Sequence, residues 1–178
     1  MSKPDVSYSI FQDWRANRGN IKAQFILSLF RLATWVRSNK ILIILFIWYL
    51  PFYRFFVEWV MGIELPWSLK AGRGLKLQHG QALVVHGQTI IGSNCGLKHS
   101  TTIGIRMNPD GSVGRAPIIG NNVDIGAQVC IIGAIEIGDN VAIGAGSIVV
   151  KSIPANCVVV GNPARVVKVN EPATSSYS

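Results

Sequence analysis

Three histidines, His79, His86 and His99, are the only imidazoles in the chain. At neutral pH an imidazole is the side chain best placed to accept a proton and hand it back. Motifs for other chemistry are missing from the sequence. It has no Gly-x-Ser-x-Gly elbow, no Walker loop, no dinucleotide fingerprint and no His/Cys/Asp/Glu set at metal-ligand spacing. If the chain is an enzyme, a histidine general base working without a metal is the economical expectation. His99 lies about one coil on from His79, within Leu97-Lys-His-Ser100, and could face the same site. His86 reads as a turn residue. The plain alternative for His79 is a solvated corner side chain.

These side chains sit in a chain with one beat. A bulky aliphatic residue recurs every sixth position at Ile91, Leu97 and Ile103, then at Ile119, Ile125, Ile131, Ile137, Ile143 and Val149. Glycine follows it at Gly92, Gly104, Gly120, Gly126, Gly138 and Gly144. A helix repeats its apolar face about every 3.6 residues and a half-buried strand every 2. A six-residue period fits a hexapeptide β-solenoid, in which each hexad forms one short face and three hexads close a triangular coil. The aliphatic residue points inward, and the glycine allows a tight corner. The beat is interrupted once, by Arg106-Met-Asn-Pro-Asp-Gly-Ser-Val-Gly-Arg115, whose turn-forming composition marks a loop. A loop thrown from a regular solenoid tends to reach a binding site.

The region 1–63 reads differently. Ile21, Phe25, Ile26, Leu29, Leu32, Ala33 and Val36 form an apolar helical stripe with Lys22, Gln24, Ser28 and Arg31 off it. Ile41 to Tyr53 carries no charge. Pro51 can stand in the first turn of a following helix that Gly62 closes. Thirteen residues are too few to span a bilayer, which needs about 20. Two readings of 41–61 stand side by side. One is an interfacial membrane segment, with Arg31, Arg37 and Lys40 at headgroup level and Trp48, Tyr49 and Tyr53 beside them. The other is a helical cap packed on the solenoid and a neighbouring subunit.

Bulk properties narrow the field. A hydrophobic content of 49% against 15% charged residues argues against disorder. The net charge is +8, and residues 1–70 hold nine Lys/Arg against four Asp/Glu. No nucleic-acid recognition motif accompanies that charge, so an anionic membrane surface or an acidic cofactor suits it better than nucleic acid. Cys95, Cys130 and Cys157 lack CxxC spacing and read as small core residues of a reducing compartment. The opening residues show no secretion-signal pattern. The expected organisation is a helical region over 1–63, a β-solenoid domain over 64–169 and a loose tail over 170–178.

The stretches Ile143-Gly-Ala-Gly-Ser-Ile-Val-Val150, Ile153-Pro154 and Gly161-Asn-Pro-Ala-Arg165-Val resemble the coenzyme A-dependent hexapeptide acetyltransferases. Gly72-Arg-Gly-Leu-Lys-Leu-Gln-His79-Gly, Val84-Val85 and Ser100-Thr-Thr-Ile-Gly104 resemble their serine acetyltransferase-like branch, which includes colanic-acid and capsular-polysaccharide O-acetyltransferases. Gln12-Asp-Trp-Arg-Ala-Asn-Arg-Gly-Asn20 is similar to the polysaccharide members. The resemblance covers about Glu64 to Val167. It implies a mainly β fold, a left-handed parallel β-helix with an apolar helical N-terminal region, assembled as a homotrimer with sites between subunits.

The resemblance also implies roles. His79 matches the catalytic base and Glu64 the acidic partner that orients it. Gly126, Ala127, Gly144, Ala145, Lys151 and Arg165 match positions that hold acetyl-coenzyme A. Gln78 and Arg115 fall where the acceptor binds; serine acetyltransferases have a non-basic residue at the position of His99, which could contact the acceptor from beside His79 or lie on the surface. Two departures concern the acceptor. Serine acetyltransferases place an aspartate before the catalytic histidine, where this chain has Gln78. They also place a second histidine after an arginine, where Arg115 is followed by Ala116. Neutral Gln78 offers no charge to an ammonium group. The implied reaction is acetyl transfer to a hydroxyl of a capsular or exopolysaccharide sugar, free or lipid-linked, at the cytoplasmic face of a bacterial membrane. Serine O-acetylation and a non-catalytic scaffold are the alternatives.

Overall fold

The computed structural model describes residues 8–108 and 110–170. The tail expected from Asn170 onward therefore lies almost wholly outside the described residues. Among the described residues fourteen short strands wind five coils, each paired in parallel with the strand one coil away. The first coil holds β1 (Ile63–Glu64), β2 (Lys70–Ala71) and β3 (Lys76–Gln78). The second holds β4 (Leu83–Val85), β5 (Ile90–Ile91) and β6 (Gly96–Lys98). The third holds β7 (Thr102–Gly104), β8 (Ile118–Ile119) and β9 (Asp124–Ile125). The fourth holds β10 (Cys130–Ile132), β11 (Glu136–Ile137) and β12 (Ala142–Ile143). The fifth holds β13 (Ile148–Val149), a single bridge from Ile153 to Ile137, and β14 (Cys157–Val160).

Three flat faces result. Face A stacks β1, β4, β7, β10 and β13; face B stacks β2, β5, β8 and β11; face C stacks β3, β6, β9, β12 and β14. β15 (Arg165–Val169) folds back antiparallel on β14 and ends face C. All nine aliphatic residues of the six-residue beat are buried in the shared core, as expected of inward-pointing hexad positions. The expected loop leaves the solenoid between β7 and β8. Within it the Ser112 hydroxyl and N–H both donate to Asp110, which holds that carboxyl below its usual range.

The corner from face B to face C carries a ladder that the period alone does not reveal. Asn94, Asn122, Asn140 and Asn156 all adopt left-handed backbone, with φ of 58, 55, 59 and 61°. Each of the first three side-chain amides donates to the next, at 3.3, 3.0 and 2.9 Å. Asparagine tolerates this conformation better than other non-glycine residues, and the amide's twin donor and acceptor let it repeat from coil to coil.

The N-terminal region closes the first coil. Helix α1 (Ile21–Arg37) is capped by Asn20, whose Oδ1 accepts from Ala23 N–H at 3.0 Å. It crosses the open end of coil one. Asn20 donates to Leu77 O at one end, Arg31 to Ala71 O and Gly72 O in the middle, and Thr34 to Trp67 O at the other. Its buried face is Ala23, Ile26, Leu27, Phe30, Arg31, Ala33 and Val36. This corrects the expected stripe: Ile21 and Phe25 are exposed, and Arg31 is on the buried side. Arg31 is therefore no headgroup ligand. It forms an ion pair with Asp13 at 2.7 Å, both residues being 2% exposed or less.

Asp13 also accepts from Leu75 N–H at 2.9 Å, and Asn17 both accepts from Leu77 N–H and donates to Leu75 O. Side chains thus stand in for the strand that β3 lacks on its outer edge, and they leave few buried backbone groups unpaired there. Helix α2 (Lys40–Leu45) packs on α1. Helix α3 (Tyr49–Tyr53), with Pro51 in its first turn, continues into a π-helical segment (Arg54–Val60) that packs on β1. The Tyr53 hydroxyl donates to Leu65 O at 2.5 Å, and Gly62, at φ 63°, ends the segment. Among the described residues, no helix is long and apolar enough to cross a membrane. Cys95 and Cys157 are buried as expected, and burial pushes the Cys95 thiol up. Cys130 is only half-buried, because it occupies an outward position on face A.

Candidate active site

The site is built at the corner from face C to face A. In later coils this corner needs one residue in left-handed backbone: Ser100 (φ 56°), Gln128 (58°) and Gly146 (71°). Their N–H groups donate to Gln81 O, His99 O and Ala127 O one coil earlier, at 2.9, 3.1 and 2.9 Å. The first such corner has two left-handed residues, His79 (58°) and Ala82 (53°). Ala82 occupies the position of Ser100, since Gln81 stacks on His99. His79 and Gly80 are therefore additional. The inward residues Leu77 and Val85 are consequently eight positions apart, whereas their partners Leu97 and Ile103 are six apart. Left-handed backbone costs a non-glycine residue roughly 1–2 kcal/mol. Such strain persists where the surroundings impose it, and it clusters at functional sites.

The expansion holds the His79 side chain out of the coil stack. It borders a cavity of about 550 Å³ with Asn20, Ile21, Lys22, Leu77 and Gln81. The His99 ring lies 6.4 Å away, centroid to centroid, with planes at 69°. His99 is half-buried, and its Nδ1 is 3.4 Å from Ser100 Oγ. Gln78 is exposed at the end of β3 and opposes Lys98 in the register. Lys98 itself grips Asp124 at 2.7 and 2.9 Å. Gly126, Ala127, Gly144 and Ala145 follow on the same edge in later coils.

Glu64 stands on face A, paired with Val84 and exposed. It lies two residues past Gly62, whose carbonyl accepts from Ala82 N–H at 2.8 Å. The carboxylate is thus just beyond the His79 corner. Among the described residues, no hydrogen bond or ion pair joins it to His79 within one chain. It borders a separate cavity with Arg54, Glu58 and His86. His86 is a corner residue, as expected: its N–H donates to Ile103 O and its carbonyl accepts from Thr89 N–H. Arg115 lies on the opposite edge of face A, in a cavity of about 380 Å³ shared with Arg106 and Val150. Lys151 is two coils further along that edge, and Arg165 opens β15.

The glycines bear on coil geometry before any ligand. A Cβ on Gly126 would stand 2.6 Å from Ala145 N, and one on Gly144 2.6 Å from Val160 Cγ1. Coil stacking alone demands glycine at 126, where the neighbour is backbone; at 144 the neighbour is an exposed side-chain methyl. Of the remaining residues, two are small and two are cations. Ala127 and Ala145 leave the edge shallow, and Lys151 and Arg165 are exposed cations with no carboxylate partner among the described residues. Among the described residues, no group of side chains could hold a metal ion. Sequence reasoning missed Asn20 and Lys22 at the His79 cavity, and the eight-residue step that makes the corner. The broken hexad between Leu77 and Val85 was the available signal.

Fold and corner together define the class as a hexapeptide-repeat acyltransferase. No family model matches the chain. It is 34% identical over 165 residues to the protein of Escherichia coli K12 named as a colanic acid biosynthesis acetyltransferase, WcaB, covering 88% of this chain and 98% of that one. It is 38% identical over 106 residues to serine acetyltransferase of Synechococcus elongatus, covering 60% of this chain. It spans only 43% of that enzyme's length. Among solved structures, serine acetyltransferase from Brucella abortus in complex with coenzyme A superposes with a TM-score of 0.75 at 28% identity, covering 91% of this chain and 67% of that one. The chain belongs to the hexapeptide-repeat acetyltransferase family that includes serine acetyltransferases and WcaB.

Proposed function

We propose that the chain moves an acetyl group from acetyl-coenzyme A to a hydroxyl of a capsular or exopolysaccharide sugar. The observation that carries this reading is the expanded corner, which sets His79 outside the coil stack with His99 beside it. His79 takes the proton of the acceptor hydroxyl as the oxygen attacks the thioester carbonyl, then returns it to the departing thiolate. Glu64 orients the imidazole and stabilises its charged form. Gln78, His99 and Arg115 contact the acceptor. The acetyl donor is bound as a substrate: its phosphates meet Lys151 and Arg165, and its narrow arm lies along the edge of Ala127 and Ala145.

The chain works as a homotrimer with clefts between copies. Support comes from the split of the site residues over two edges of face A, with His79 and His99 on one and Arg115 and Lys151 on the other. A neighbour's Arg115 edge brought against the His79 edge would unite them, and a cleft of that kind also offers Glu64 a route to the imidazole. The place of work is the inner face of the bacterial cytoplasmic membrane.

Serine is the second reading, favoured by the identity to serine acetyltransferases. Gln78 argues against it. Losing one charge-assisted contact to a buried ammonium costs on the order of 2–5 kcal/mol, roughly 30-fold to several thousandfold in specificity. The test is a competition between serine and repeat-unit oligosaccharide at equal concentration, read by an acetyl mass shift. Sugar acetylation is expected to dominate, and Gln78→Asp should raise serine transfer while weakening sugar transfer. Efficient O-acetylserine formation with the sugar untouched restores the serine reading.

A further inference from the structure

We infer that the solenoid docks end-on to an anionic bilayer through its helical cap, so that coil one and His79 are the part of the enzyme nearest the membrane. This deepens the membrane placement proposed above and rests on it. The cap is layered. The buried face of α1 covers coil one, and α2 packs on α1 with none of its own residues buried. Exposed to solvent are Ile44 and Leu45 on α2, Ile47 and Trp48 in the turn after it, and Phe55 and Trp59 on the π-helical segment, with Trp48 84% exposed and Trp59 77% exposed. So many large exposed apolar side chains in one short region mark an interaction site.

Charge decides what covers it. Lys22 and Arg37 stand near the two ends of α1, Lys40 opens α2 and Arg54 opens the π-helical segment; all four are exposed. Among the described residues before Ile63 there are two carboxylates. Asp13 is buried against Arg31, and Glu58 is paired with Arg54 at 2.9 Å. Lys22, Arg37 and Lys40 have no carboxylate partner among the described residues, so the cap that carries the apolar residues is net positive. In a two-fold contact between copies these like charges would repel, whereas an anionic headgroup layer complements them. The aromatic residues suit the boundary between headgroup and chain. Among the described residues no helix is long and apolar enough to cross a bilayer, and the contact inferred is peripheral.

The geometry sets a distance. A helical layer is about 10 Å thick and adjacent coils are about 4.8 Å apart. His79 joins coil one to coil two, so with one or two helical layers between, it lies roughly 15–25 Å above the docked surface. An acceptor tethered to the bilayer through a short saccharide would reach that height, which identifies the substrate class as lipid-linked saccharide.

The test uses the full chain with vesicles of phosphatidylcholine, alone or with one third phosphatidylglycerol. Co-sedimentation should favour the anionic vesicles at least tenfold, and brominated lipid should quench tryptophan fluorescence. Ile44→Glu/Trp48→Glu should lower partition at least tenfold, leaving melting temperature and transfer to a soluble acceptor unchanged. Kept transfer with lost partition separates this inference from the acetylation itself. Equal indifference to both vesicle types overturns it. So does a fall in oligomer mass in the double variant without any vesicle binding by the parent, which would assign the surface to a second copy.

Discussion

Replacing His79 probes catalysis and backbone strain at once, and the two should move in different directions. The residue is held at φ 58° in a corner that its counterparts in later coils manage with two residues fewer. Loss of a general base lowers the rate by about 10² to 10⁴, which raises the barrier by roughly 3–5 kcal/mol. The left-handed backbone costs about 1–2 kcal/mol for an ordinary side chain, and asparagine visits it more readily. His79→Asn should therefore remove most turnover while holding or raising stability by up to about 1 kcal/mol. His79→Ala should lose turnover equally and gain no such relief. In a chain of this length 1 kcal/mol moves the melting temperature by about 2–4 °C, which calorimetry resolves. Turnover is followed by release of the coenzyme A thiol. Near-parental turnover in either variant would refute the assignment of the base. An alanine variant more stable than the asparagine variant would refute the account of the strain.

Glu64→Gln should lower the turnover number far more than it weakens acetyl-coenzyme A binding, because the amide keeps the shape and loses the charge that stabilises an imidazolium; a loss confined to the Michaelis constant for acetyl-coenzyme A would place Glu64 elsewhere. Arg31→Met should destabilise by about 3–5 kcal/mol, since it leaves Asp13 as an uncompensated buried charge. Denaturant unfolding measures it, and the double variant Asp13→Asn/Arg31→Met should recover part of the loss; a neutral Arg31→Met would mean that the pair contributes nothing.

The solenoid was legible because every inward position of a coil must be bulky and apolar, so Ile91 through Val149 wrote the period into the chain. The loop at 106–115 was legible for the complementary reason: turn-forming residues replaced the beat. Other features hid behind breaks in that same period. The asparagine ladder recurs at separations of 28, 18 and 16 residues, because the loop lengthens one coil and the closing corner shortens another. The His79 expansion sits where the beat had not yet become regular. Arg31 was misplaced because a charged residue is assigned to the wet side of a helix unless its partner is known, and Asp13 lies 18 residues away. Glu64 was found through resemblance. Its alternation on β1 says only that it points outward, and one chain does not bring it to the imidazole.

The side chains that seal β3 have an effect at the scale of the whole molecule. A stack of parallel coils has no intrinsic length, and each unpaired terminal strand is a template on which another chain can add. Asp13, Asn17 and Asn20 occupy the ladder positions that an incoming strand would claim, and at the other end of the same face β15 runs back against the direction of growth. The two stops differ in kind, one a set of polar side chains and the other a reversed strand, yet both end growth along face C. Five coils are therefore a finished particle instead of a segment of a filament, and the polar pattern of residues 13–20 is part of what keeps the protein a discrete enzyme.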